Sequence, residues 1–134
     1  MNIEELREHC LAVKGAVECM PFDEDTMVYK VMGKMFAFFP LTPKEGEFWV
    51  NMKCHPDKSV HLREHYQGII PGYHSDKRYW ITVYIQSDVP DRLIVELITH
   101  SVEEVIKKLP KYKRIAYQES KQEENSTEAA TGIS

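Results

Sequence analysis

Tyr66-Gln67-Gly68-Ile69-Ile70-Pro71-Gly72-Tyr73-His74-Ser75-Asp76-Lys77-Arg78-Tyr79-Trp80 is the stretch from which the fold reads most directly. Gly68 and Gly72 bracket an apolar Ile-Ile-Pro, and Pro71-Gly72 is a strong turn signal. From Tyr79 to Ile85 the chain alternates in the period of a strand. Two such arms around a turn predict a β-hairpin whose tip carries His74, Lys77 and Arg78. Polar side chains grouped on an exposed turn suit a contact surface; the bland alternative is a solvated turn whose charges serve solubility. The stretch holds no nucleophile–base pair, metal motif or phosphate loop, so it names no reaction.

On the N-terminal side, Ile3, Leu6, Cys10 and Val13 recur at helical spacing and Gly15 supplies a stop. Residues 16–25 read as an irregular acidic connection through Pro21 and Asp23-Glu24-Asp25. Thr26–Val31 and Lys34–Leu41 then predict a hairpin about Gly33, and Glu47–Lys53 a third strand. His55-Pro56-Asp57 opens a second helix, with proline in the first turn where its missing N–H costs nothing. After the second hairpin, Leu93, Ile94, Leu97, Ile98, Val102, Val105, Ile106 and Leu109 form a wide apolar stripe that must lie across the sheet, and Pro110 ends that helix. The expected order is α-β-β-β-α-β-β-α, an α+β two-layer sandwich on an antiparallel sheet. Residues 1–117 are expected to form one domain, and 118–134 an acidic disordered tail with almost nothing to bury.

A length of 134 residues suffices for one core, and no apolar run approaches the length of a membrane span. Cys10, Cys19 and Cys54 are odd in number and follow no CxxC spacing, and the first residues lack the pattern of a signal peptide. A cytoplasmic location without membrane association is therefore expected. Net charge is −4, but residues 119–134 hold four glutamates against one lysine. Setting these aside leaves 16 basic and 17 acidic side chains, a nearly neutral folded part. Lys107, Lys108, Lys111, Lys113 and Arg114 form a basic run without an acid; such runs are more often solvated, or complement a helix C-terminus, than bind nucleic acid.

The chain resembles the MmcQ/YjbR family, small bacterial proteins commonly described as DNA-binding. The resemblance rests on Gly68-Ile-Ile-Pro-Gly-Tyr-His74 followed by Lys77 and Trp80, preceded by Cys54-His-Pro-Asp57 and Leu62-Arg-Glu-His-Tyr66. Ile3–Cys10, Pro21-Phe22-Asp23, Lys30–Phe36 and His100-Ser101 agree with it, so it spans about residues 1–110. It implies a CyaY-like (frataxin-like) fold in which two hairpins project as a double wing.

A DNA contact needs cations to position phosphates and groups that read or stack on bases. The resemblance places His74, Lys77 and Trp80 at family motif positions; Arg78, Lys53 and Tyr73 join them on local charge and aromaticity. Any such binding is expected to be weak and salt-sensitive, because the folded part is nearly neutral. Trp80 has a structural reading too, packed against Trp49 on a sheet face without helices. With Tyr84, that face would be a surface for a protein partner or a homodimer, the alternative function. His61 and His65 have the spacing of a helical metal pair but no third ligand, so no metal or other cofactor is expected. His74 with Asp76 could orient an imidazole, yet no nucleophile accompanies them, and a non-enzymatic protein is expected.

Overall fold

The computed structural model describes residues 1–43, 45–73 and 75–120. The expectations placed on His74, and on the tail beyond residue 120, lie outside the described residues. The N-terminal helix α1 (Ile3–Leu11) opens with a capping box, in which the Glu5 N–H donates to Asn2 Oδ1 at 2.8 Å and the Asn2 N–H to Glu5 Oε1 at 3.2 Å. It buries Leu6 and Cys10 and ends four residues before Gly15, which takes a left-handed φ of +77°.

Here the structure adds an element. Val17–Cys19, expected to be irregular, form an edge strand, β1, antiparallel to β2 (Thr26–Val31). Three residues carry too little alternation to announce a strand. What secures β1 is Glu18, whose carboxylate accepts two bonds from the Arg7 guanidinium (2.8 and 2.9 Å) and one from the buried Tyr29 hydroxyl (2.6 Å). Helix, edge strand and core are thereby tied through one carboxylate.

β2 turns into β3 (Lys34–Pro40) through Met32 and Gly33, both at positive φ, as a two-residue hairpin turn requires. β4 (Trp49–Lys53) pairs with β3 on one side and with β6 (Trp80–Tyr84) on the other. The helix α2 (Pro56–His65) starts at His55, whose Nδ1 accepts from the Asp57 N–H at 3.2 Å, and leads to the short edge strand β5 (Ile69–Pro71). The sheet has six strands in the order β1-β2-β3-β4-β6-β5, every pairing antiparallel.

The apolar stripe of α3 (Asp91–Lys107) lies across β3 and β4, burying Ile94, Leu97, Ile98, Val102 and Val105. Ser101 is buried in the same contact: its hydroxyl donates to the Phe36 carbonyl at 2.5 Å and accepts from the Lys53 N–H at 2.9 Å. Beyond Pro110 the chain resumes as a fourth helix, α4, helical over the described residues 111–120. Residues 118–120 thus belong to a helix rather than to the expected tail, and Tyr117 donates from its hydroxyl to the Lys14 carbonyl at 2.9 Å.

The main core fills the space between sheet and helices. A smaller cluster of Val28, Phe38 and Trp49, flanked by Met35, Trp80 and Tyr84, occupies the other face of the sheet. Trp49 of β4 and Trp80 and Tyr84 of β6 belong to this second face, while Val50, Met52, Ile81 and Val83 between them belong to the main core, as the period of two requires.

Candidate functional site

The second hairpin is narrower than its sequence suggests. A Cβ on Gly72 would lie 2.8 Å from Trp80 Cβ, 3.0 Å from the Trp80 carbonyl oxygen and 2.5 Å from Ser75 Oγ. Glycine is required there by close approach of the two arms. Gly68 meets the same condition, since its Cβ would collide with Ser87, and its N–H and that of Gln67 donate to the Asp88 carboxylate at 2.8 Å. Those two bonds hold the Asp88 carboxyl below its ordinary pKa.

A closed hydrogen-bond ring fixes the backbone just after Gly72. The Thr82 hydroxyl donates to Asn51 Oδ1, the Asn51 amide donates to the Tyr73 carbonyl, and the Tyr73 N–H donates to Thr82 Oγ1 at 2.7 Å. Asn51 and Thr82 are fully buried, although both project toward the face without helices. The ring seats Tyr73 edge-on to Trp49, with ring centroids 6.3 Å apart. Trp80 packs beside them, 5.8 Å from the Phe38 ring.

The candidate residues therefore separate into two groups. Lys77 and Arg78 are exposed on the turn, and the Asp76 carboxylate caps that turn by accepting from the Arg78 N–H at 2.8 Å. The Arg78 guanidinium lies over the Tyr79 ring at 5.4 Å, and the Lys108 ammonium lies over the same ring at 4.2 Å. Tyr79 thus joins the hairpin to the C-terminal end of α3, where Lys107 and Lys108 are exposed and His55 and Glu104 complete a shallow recess. Lys53 is half-buried and belongs to the same corner. Its ammonium pKa is held below the usual value, first by burial and then by the positive charge of Lys108.

Tyr73 and Trp80 instead line a groove of about 950 Å³ on the helix-free face. Its floor is Phe38, Trp49, Trp80 and Tyr84, and carboxylates from Asp23, Glu45, Glu47 and Asp76 reach its rim. The Tyr84 phenol is pushed above its ordinary pKa, by partial burial first and by Glu47 and Glu45 next. Tyr73 and Trp80 line this groove and Lys53 and Arg78 do not, although Lys53 pairs with Trp80 across β4 and β6.

Tyr79 as the platform between Arg78 and Lys108 carried no sequence signal beyond its aromaticity, and neither did the grouping of carboxylates at the rim. A separate apolar cavity of about 700 Å³ lies between α1, α3 and α4, lined by Val13, Ile98, Val102, Ile106 and Tyr117. Among the described residues no three histidine, cysteine or acidic side chains converge as metal ligands. His61 and His65 do meet, ring centroids 4.3 Å apart, with His65 Nδ1 2.8 Å from the His61 carbonyl. Burial pushes the Cys10 thiol up to about 12 and Cys54 up to about 11, the direction opposite to that of an activated nucleophile.

A model of the YjbR family matches residues 11–103, most of the chain and all of the second hairpin. The chain belongs to the YjbR family. Escherichia coli K12 YjbR, described as an uncharacterized protein, is 31% identical over 114 residues, which cover 85% of this chain and 95% of that one. YbdF of Escherichia coli O157:H7 is 34% identical over 93 residues, covering 69% and 75%. The crystal structure of DR2400 from Deinococcus radiodurans, a protein of domain family DUF419, superimposes with a TM-score of 0.79 at 32% identity, covering 87% of this chain and 88% of that one. A Pseudomonas syringae protein at 22% identity and a TM-score of 0.66 shares the fold. No helix among the described residues of this YjbR-family chain is long and apolar enough to cross a membrane.

Proposed function

We propose that this YjbR-family protein is a non-enzymatic, cytoplasmic nucleic-acid-binding protein that holds the phosphate backbone at the corner around Tyr79. The observation that carries the reading is the convergence of Arg78 and Lys108 on one ring, which joins the second hairpin to the basic run after α3. Lys53 and Lys77 add positive charge at or near that corner, while Lys107 is paired with Glu104 at 3.1 Å. Phosphates are recognised by such groups without base specificity, and a handful of contacts gives weak affinity that falls steeply with salt. Tyr73 and Trp80 play no stacking part in this reading, because a strand reaching them would bring its phosphates against Asp76, Glu45 and Glu47.

The test is a fluorescence-anisotropy titration of a mixed-sequence duplex at about 50 and 200 mM salt, where several phosphate contacts give a large loss of affinity. Saturable binding at the lower salt that collapses at the higher is expected. Replacing Arg78 and Lys108 together by alanine should reduce the salt slope by about two, about one for each phosphate no longer neutralised. An unchanged slope in a folded double variant, or no binding at low salt, would remove the corner from consideration.

A further inference from the structure

The groove on the helix-free face has the composition of a cation receptor, a property the phosphate-binding corner neither needs nor uses. Its floor is aromatic: Phe38 meets Trp49 edge-on at 6.3 Å and lies 5.8 Å from Trp80. Phe38 and Trp49 are buried, so the partly buried Trp80 and Tyr84 supply most of the accessible ring surface. Phe22 on one side and Tyr73 on the other stand as exposed walls, 64% and 50% accessible. Two exposed aromatic side chains facing one depression are unusual on a surface with nothing to cover.

The rim supplies the sign of the occupant. Asp23, Glu45, Glu47 and Asp76 come from three separate connections, and the described lining residues include no lysine or arginine. Asp23 is already engaged, accepting from the Asp25 and Thr26 N–H groups at 2.8 and 2.7 Å, so its charge is held in place. Asp76 is fixed in the same way by the Arg78 N–H. Ring faces attract cations through their quadrupoles, and carboxylates at the rim reinforce the attraction in a partly desolvated site.

Size then decides between a lone small cation and a chain. At about 950 Å³ the depression stands at the upper end of ordinary ligand pockets, roughly 300–1,000 Å³, and it is open along the sheet rather than enclosed. The strands of the floor, β3, β4 and β6, have both neighbours in place, so recognition on the floor must be through side chains rather than by adding a strand.

We propose that this groove binds an extended basic segment of a partner protein, seating its lysine or arginine side chains between the aromatic floor and the rim carboxylates. The pairing matches charge with charge and leaves the cations' alkyl stems on Tyr73, Trp80 and Tyr84.

Both tryptophans of the chain, Trp49 and Trp80, line this groove, so selectively excited tryptophan fluorescence reports on it. The probe is a synthetic peptide of alternating arginine and glycine, titrated into the full chain beside a glutamate–glycine control. Saturable quenching by the arginine peptide only is expected. Replacing Glu47 by glutamine and Asp76 by asparagine keeps side-chain size and the turn acceptor, and should weaken binding at least tenfold with an unchanged melting temperature. The Arg78→Ala/Lys108→Ala protein should bind the peptide as before, which separates this outcome from the fate of the phosphate-binding reading.

The proposal is overturned by equal quenching with the glutamate peptide, or by no quenching at all. Free arginine binding as tightly as the peptide would also overturn it, in favour of a small-amine site. A fluorescence change that depends only on protein concentration, without peptide, would give the groove to a second copy of the chain and equally overturn the proposal.

Discussion

Replacing Thr82 by valine probes the device that places Tyr73 at the groove. The two side chains are nearly isosteric, so packing is preserved while one hydroxyl is lost. That hydroxyl donates to Asn51 Oδ1 and accepts from the Tyr73 N–H. Asn51 is fully buried, so its oxygen would lose its donor out of reach of water, a penalty of about 1–3 kcal/mol. The Tyr73 N–H lies nearer solvent, and losing its partner adds up to about 1 kcal/mol. The expected destabilisation is about 2–3 kcal/mol, or about 10 °C in melting temperature for a domain of this size. Serine at the same position keeps the ring and loses one methyl group, at a cost of about 1 kcal/mol. Urea unfolding followed by far-UV dichroism gives the free energies. Tryptophan emission of the folded valine variant should also shift, as Tyr73 leaves the edge of Trp49. A valine variant within about 0.5 kcal/mol of the parent, or no less stable than the serine variant, would refute the claim that the ring holds the hairpin.

Other consequences are equally direct. Gly72→Ala should lower stability by about 1–3 kcal/mol in urea unfolding, because the new Cβ meets not only the Ser75 hydroxyl but also Trp80 Cβ and its carbonyl oxygen, which β6 holds in place. Glu18 has a folded pKa below its ordinary 4.5, first through its bond from Arg7, so its contribution is present above that value and is lost as the pH falls through the folded pKa. Glu18→Gln should therefore make stability less dependent on pH below about 4.5, measured as melting temperature against pH. His100 is held below its ordinary 6.5, mainly by burial, while its Nε2 accepts from the His55 N–H, so a separate loss should begin as the pH falls below about 6.5 and persist in the Glu18 variant. With a thiol-reactive dye at neutral pH only Cys19 should label in the folded protein, since Cys10 and Cys54 are buried and their thiols are pushed up; fast labelling of either would contradict the structure.

The sequence by itself determined the elements with long patterns. Alternation from Trp80 to Tyr84 and the stripe from Ile94 to Val105 are local, periodic and strongly tied to burial, so the second hairpin's long arm and the covering helix were legible. Gly68 and Gly72 were legible as turn signals, though the structure shows a different cause, the nearness of Ser87 and Trp80. β1 was not legible, because three residues held by Glu18, Arg7 and Tyr29 depend on contacts no local period records. Nor was α4, whose Tyr112 and Ile115 stay exposed and whose attachment rests on Tyr117.

Only the tertiary structure decided which charges are neighbours. Lys77, Arg78, Tyr73 and Trp80 are close in sequence and read as one surface. Trp80 opens β6 and lines the groove, while its neighbour Tyr79 lines the corner recess, where Arg78 from the turn and Lys108, thirty residues further along the chain, lie over its ring. The rim carboxylates come from positions 23, 45, 47 and 76, brought together by strand pairing alone. A charge's partner is set by distance in space, and that distance is fixed by long-range packing rather than by the residues beside it in the chain.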